Sequence, residues 1–172
     1  RELLETCKVL CNHGRKDHYS YSHVGWNSRM SDTTASYILR AHDLFEEMTA
    51  WRNQALNWYQ ELFAEKNLEK YLTLVRPPSH IKTNGYLCTT LLHEPIGKQI
   101  QEKMFQKGVG TARTYPETIA QQKPAESSLK LGSYAHSTDF CKRVLNLPLF
   151  YGIREEECVQ VVKTLSQILK EN

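Results

Sequence analysis

The stretch "HVGWNSRMSDTTASYILRAHDL", residues 23–44, decides how the chain reads. It sets a glycine, an aromatic, an asparagine and an arginine close together (Gly25, Trp26, Asn27, Arg29) and passes without a break into a helical pattern. Ser31 suits the N-cap, because its hydroxyl can accept one of the unpaired N–H groups at a helix start. Beyond it Ile38, His42, Phe45, Met48, Trp51, Ala55, Trp58, Tyr59, Leu62 and Phe63 recur at three- and four-residue steps, the spacing of one helical face. So long a pattern exceeds an ordinary globular helix and predicts a bend or break near Met48, where one domain hands over to another.

Upstream, Leu3, Leu4, Cys7, Leu10 and Cys11 share a helical stripe over residues 2–11, and the polar "NHGRKDHYSYSH" follows as a loop in which Gly14 ends the helix. Downstream the elements shorten. "YLTLV" and "GYLCTTLL" read as strands around the turn-rich "RPPSHIKTNG". Pro95 suits the first turn of a helix carrying Ile96, Ile100 and Met104, with Gly108 closing it. "VGTARTY" reads as extended, and "ETIAQQKPAESSLKLGSY" as a long polar connection of the kind that carries function. Residues 137–145 can form a short helix, "LNLPLF" a strand, and Glu155 to Leu169 a last helix with Cys158, Val161, Val162, Leu165 and Leu169 facing inward. The whole predicts an α/β layer structure with a three- to four-stranded sheet.

The composition sets bounds on function. The 22 Lys+Arg nearly balance 19 Asp+Glu, and no block of like charge marks a nucleic-acid or membrane tail. Apolar runs are too short to cross a bilayer, and "RELLETCKVL" lacks the plan of a signal peptide, so a cytoplasmic protein is expected. Five irregularly spaced cysteines point to buried thiols rather than a disulfide framework. The chain opens at Arg1 inside a helical pattern, which suggests a fragment of a longer protein.

Cys7, Cys11, His13, His18 and His23 carry zinc-type donors, but two of them lie on the apolar stripe and no Cys-x-x-Cys knuckle is present, so no metal is expected. His42 and His136 fall in helical patterns and are expected to be satisfied by packing or capping. Cys141 and Cys158 have no base nearby in sequence to make either a nucleophile. No glycine-rich phosphate loop occurs. The opening stretch differs, since Asn27 and Arg29 supply donors just before a helix N-terminus, where an anion such as phosphate is favoured. The alternative is a well-capped helix start whose Asn serves its own loop and whose Arg makes a surface ion pair.

The segment "CNHGRKDHY…HVGWNSRMSDTTAS" with the long helix after it resembles the part that follows the cofactor lysine in DegT/StrS-type, pyridoxal-phosphate-dependent nucleotide-sugar aminotransferases. "GYLCTTLL", "GVGTARTYPETIAQQKP" and "VLNLPLFYGIREEECVQVV" resemble the first strand, the substrate loop and the closing strand, turn and helix of that family's small domain, in the family's order. The resemblance implies a fold-type I transferase cut after its Schiff-base lysine, with residues 1–47 as the tail of the large cofactor-binding domain including an interface loop and 48–172 as the C-terminal small α/β domain. Pyridoxal 5'-phosphate would be the cofactor, a nucleotide-linked keto-sugar the substrate and an amino acid, glutamate by family habit, the donor. It also implies a homodimer in which the Gly25–Asn27 loop crosses to the neighbouring subunit, with Asn27, helped by Arg29, on the cofactor phosphate. His13 and Arg15 match a loop reaching the sugar nucleotide, and Tyr115 a sugar contact. Thr114 stands where the family often has His, which suggests a different substrate or a different acceptor of the hydroxyl hydrogen bonds. Arg154 replaces the common Thr cap of the last helix. No lysine here has the cofactor-lysine context, so the resemblance implies that this chain alone is inactive. Two other readings remain: an interaction or scaffold half of a split protein, and a sugar dehydratase of the same family in which His replaces the lysine.

Overall fold

Residues 2–11 form helix α1 (Glu2–Cys11), and the apolar pattern after Ser31 folds as two helices rather than one, α2 (Asp32–Asp43) and α3 (Phe45–Glu65). The cap forms as its sequence predicts, with Ser31 Oγ accepting the Thr34 N–H at 3.2 Å. The break falls at Leu44, earlier than the expected Met48. There the Leu44 N–H turns to the Ala41 carbonyl at 3.2 Å, a tightened last turn. Charge explains the position. Asp43 sits at the negative end of α2, whereas Glu46 and Glu47 occupy the first turn of α3, where the helix dipole favours them.

The structure, a computed structural model, describes residues 1–125 and 133–171. The chain divides into two compact units, Arg1–Phe45 and Glu46–Asn172. Within the first, neither helix carries a buried residue. Cys7, expected on a packed stripe, is exposed, as are Leu3, Leu4 and Ile38. His42 is exposed rather than packed.

The second unit holds an antiparallel sheet of order β1-β2-β3, formed by β1 (Leu72–Leu74), β2 (Cys88–Leu92) and β3 (Val144–Leu147). Leu72 pairs with Leu92 and Thr89 with Asn146. Along β2 burial alternates, as a two-residue side-chain period requires, so Cys88, Thr90 and Leu92 face the core. Three helices complete the unit: α4 (Gly97–Gln106), α5 (Ala135–Arg143) and α6 (Glu155–Lys170). Pro95 thus precedes α4 instead of entering its first turn; Gly97 takes that place because a Cβ there would lie 2.7 Å from the Lys142 carbonyl oxygen. Gly108, at φ +78°, closes the turn after α4. "VGTARTY" is not a strand, and makes only one bridge, Ala112 to Asn146. The polar connection contains two 3-10 turns, Ile119–Gln121 and Lys123–Ala125, and its residues 126–132 lie outside the described part. Arg154 does begin α6, but the cap is completed from the other side: the Glu157 carboxylate accepts the Arg154 N–H at 2.9 Å, which holds that carboxyl below its usual range.

The core joins Ala55, Leu56, Tyr59 and Phe63 of α3 to Leu72, Leu92, Leu145 and Leu147 of the sheet and to Val162, Leu165 and Ile168 of α6. Cys88, Cys141 and Cys158 are buried in the same unit, and all five cysteines are free. Burial pushes the Cys88 thiol up to about 12 and raises that of Cys158, which keeps both protonated and unsuited to nucleophilic work. No helix among the described residues is long and apolar enough to cross a membrane.

Tyr59 is fully buried, yet its hydroxyl donates to the Pro148 carbonyl at 2.8 Å. Tyr59→Phe strands that carbonyl and should cost about 1–3 kcal/mol of stability. Urea unfolding should show the midpoint falling with an unchanged slope.

Candidate functional site

Two regions gather the residues singled out from the sequence, one in each unit. In the first, α1 ends by an abrupt reversal: the Gly14 N–H donates to the Val9 carbonyl at 2.8 Å, with His13 and Gly14 at φ +60° and +78°. The chain then runs out and returns alongside itself. Asp17 Oδ1 accepts the Tyr19 and Ser20 N–H groups at 3.0 and 2.8 Å, which closes the tip and holds its carboxyl below the ordinary range. On the return, the Trp26 N–H reaches the Leu10 carbonyl, the His13 N–H reaches the Trp26 carbonyl and the Ser28 N–H reaches the Cys11 carbonyl, at 2.9 to 3.0 Å.

Two glycines make this close approach possible. A Cβ on Gly25 would lie 2.2 Å from the Gly14 nitrogen, and one on Gly14 would lie 1.8 Å from the His23 carbonyl oxygen. Asn12 and Asn27 therefore face each other across a backbone bridge. Trp26, the aromatic of this stretch, is 67% exposed and does not anchor the loop in the apolar interior.

Asn27, Arg29 and Arg15 supply the donors at this turn. Arg29 Nε donates to Asn27 Oδ1 at 3.3 Å, so Asn27 keeps its amide nitrogen free of partners among the described residues. Arg15 Nε donates to the Tyr21 hydroxyl at 3.1 Å, with the guanidinium 5.4 Å from the Tyr21 ring centre. Among the described residues neither arginine is ion-paired. Ser31 already takes one N–H of α2 and Asp32 stands in its first turn, so an anion here would be held by side chains more than by helix amides. Exposed donors beside an unpaired guanidinium suit an oxyanion. Cys7, Cys11, His13, His18 and His23 form no metal-binding group among the described residues.

In the second unit Thr114 and Tyr115 begin a loop whose root is held by Asn146. The Ala112 N–H donates to the Asn146 carbonyl at 3.0 Å, and the Asn146 N–H returns a bond to the Ala112 carbonyl at 2.7 Å. Asn146 Oδ1 accepts the Thr114 N–H at 3.0 Å, while its Nδ2 donates to Thr89 Oγ1 at 2.8 Å. Arg113 Nη2 donates to the Cys141 carbonyl at 2.5 Å. Beyond Thr114 an open groove of about 1210 Å³ runs between the loop and α5, lined by Tyr115, Ile119, Ala125, Tyr134, His136 and Phe140. His136 is exposed there, not packed or capping. Tyr134, Phe140 and Asn146 escaped the sequence reading. Asn146 had one faint signal, a polar residue inside the apolar "LNLPLF".

The DegT/DnrJ/EryC1/StrS aminotransferase family model matches residues 1–166. A "pleiotropic regulatory protein" of Geobacillus stearothermophilus is 25% identical over 172 residues, covering 98% of this chain and 45% of its own length. The UDP-N-acetyl-3-dehydro-alpha-D-glucosamine 3-aminotransferase of Acidithiobacillus ferrooxidans is 26% identical over 175 residues, covering 98% of this chain and 44% of its own length. The chain therefore spans less than half the length of these relatives. A Streptococcus pneumoniae protein solved in its PMP form has the same fold, with a TM-score of 0.88 at 17% identity, over 99% of this chain and 44% of the other.

The glycine contact generates a direct test. Gly14→Ala places a Cβ against the His23 carbonyl at a backbone angle that alanine resists, by about 1–3 kcal/mol for the angle alone. Amide exchange at Trp26 should accelerate at least tenfold, while the unfolding midpoint of residues 46–172 stays where it was.

Proposed function

Because the chain belongs to the DegT/DnrJ/EryC1/StrS aminotransferase family, we propose that it forms part of a pyridoxal-phosphate-dependent aminotransferase acting on a nucleotide-linked keto-sugar. The relatives reach well beyond its length, and on this reading the cofactor lysine lies in that additional portion, leaving these 172 residues inactive alone. The observation that carries the reading is the Asn27 amide nitrogen, which has no partner among the described residues and stands beside Arg29, which has no acidic partner among them, on a glycine-locked turn. These two donors fit a phosphate monoester. Pyridoxal phosphate supplies the electron sink through which the amino group moves from donor to sugar.

The chain's own residues bind and orient. Asn27 and Arg29 hold the phosphate of the neighbouring subunit's cofactor in a homodimer joined through the Gly25–Asn27 loop. Arg15, steadied on Tyr21, contributes charge to the substrate diphosphate, with His13 beside it. Thr114 and Tyr115 meet the sugar hydroxyls, and glutamate is the donor. The exposure of Leu3, Leu4, Trp26 and Ile38 in residues 1–45 supports a reading in which further polypeptide covers this unit, and the assembled enzyme acts in the cytoplasm.

Mixed alone with pyridoxal phosphate, the chain should give no borohydride-reducible adduct on a specific lysine; such an adduct would overturn the lysine assignment. In the lysine-bearing enzyme, Asn27→Ala should weaken cofactor retention about ten- to a hundredfold, the loss of a hydrogen bond to a charged group worth roughly 1.5–3 kcal/mol. A hybrid dimer locates the loop. Pairing an Asn27→Ala subunit with a lysine-deficient one leaves a single competent site, which meets a normal loop only if loops are exchanged. Near-normal affinity there is expected, and weakened affinity would place Asn27 in its own subunit's site.

A further inference from the structure

We propose that Asn146 is the positioning residue of the Thr114–Tyr115 loop, setting the direction in which those two residues leave the sheet and thereby the affinity for the sugar. The second clause rests on the aminotransferase reading; the first stands on geometry alone. Asn146 is 3% exposed and lies on β3, buried along its whole length. A polar side chain there must be satisfied inside the protein, and both its amide atoms are, by partners far apart in sequence. Thr89 of β2 fixes the amide's orientation by accepting from Nδ2, which leaves Oδ1 aimed at the Thr114 N–H.

The arrangement has a direction. Backbone bonds between Asn146 and Ala112 hold the incoming chain in register with β3. At Thr114 that pairing ends, and the only acceptor found for its N–H among the described residues is the Asn146 side chain. The amide thus acts as a guide at the point where the chain departs. Arg113 secures the opposite side by reaching the Cys141 carbonyl in α5 and, at 3.5 Å, that of Pro116. Tyr115, the next residue, is exposed and carries no anchor of its own among the described residues. Its placement is inherited from Thr114, and that of Thr114 from Asn146.

Two variants separate guidance from mere packing. Asn146→Ala removes the acceptor but keeps the backbone pairing. Asn146→Asp keeps an oxygen facing Thr114, and the Thr89 hydroxyl can turn to donate to the other oxygen. In the 172-residue chain, amide exchange at Thr114 should rise tenfold or more in Asn146→Ala and stay within about threefold of wild type in Asn146→Asp. Exchange at Ala112, bonded to the Asn146 backbone, reports whether the strand is intact and should not change. If the alanine variant does not fold, Thr89→Val takes its place, and accelerated Thr114 exchange with a protected Ala112 is again expected. Unchanged Thr114 exchange overturns the guide, whatever the enzyme does. In the lysine-bearing enzyme the alanine variant should raise KM for the nucleotide sugar tenfold or more, with kcat and KM for the amino donor within threefold and the aspartate variant near wild type. Faster Thr114 exchange with an unchanged sugar KM overturns the claim that this loop sets sugar affinity, and leaves the structural guide standing.

Discussion

Strand β3 is four residues long and buried at every one of them, so each of its polar groups has to find a partner within the protein. Much of the second unit follows from how this is met. One edge pairs with β2 through the Leu145–Thr90 and Leu147–Cys88 register. The other is capped at a single residue by Ala112. The Leu145 carbonyl accepts Thr90 Oγ1 at 2.8 Å, and just past the strand the Pro148 carbonyl accepts the Tyr59 hydroxyl. Helix α3 is thereby tied to the end of the sheet by a hydrogen bond as well as by apolar contact. The same demand recruits Asn146 to organise the loop that leaves from its flank.

The first unit rests on different physics. Its reversal after α1 is held by backbone hydrogen bonds and by two glycines in face-to-face contact, with no buried apolar side chain in either helix. Exposed hydrogen bonds contribute little net free energy, because water competes for every partner. Such a turn has its geometry specified sharply and its stability weakly. That combination suits a donor group such as Asn27, whose position is set by the backbone while its amide nitrogen has no partner among the described residues.

The cysteines show how environment decides chemistry. Five thiols in a chain of this length invite a catalytic or metal reading, but three are buried and two of these have pKa values pushed up by desolvation. Other capacity on the surface lies in Arg15, Arg29 and Asn27, guanidinium and amide donors with no carboxylate partner among the described residues. Such groups suit the holding of anions.

The amino-acid sequence by itself determined what depends on near neighbours: among the described residues, the helices at 2–11, after Pro95, after Tyr134 and after Arg154 and the strands within "YLTLV", "GYLCTTLL" and "VLNL" to within a few residues, the Ser31 cap, the glycine stop at Gly14 and the family's order of motifs. Capping and side-chain period act over three or four residues, so they are legible in one dimension. The break at Leu44 was legible too, in the charges of Asp43, Glu46 and Glu47, although the unbroken apolar stripe across it concealed the signal. Only the tertiary structure decided that Gly14 and Gly25 touch, that Trp26 is exposed, that "VGTARTY" contributes one bridge instead of a strand, and that Asn146 joins Thr89 to Thr114. The last of these links residues 57 and 32 positions away. A buried amide has no periodicity to announce it; its role exists only once the fold has removed water and left particular partners within reach.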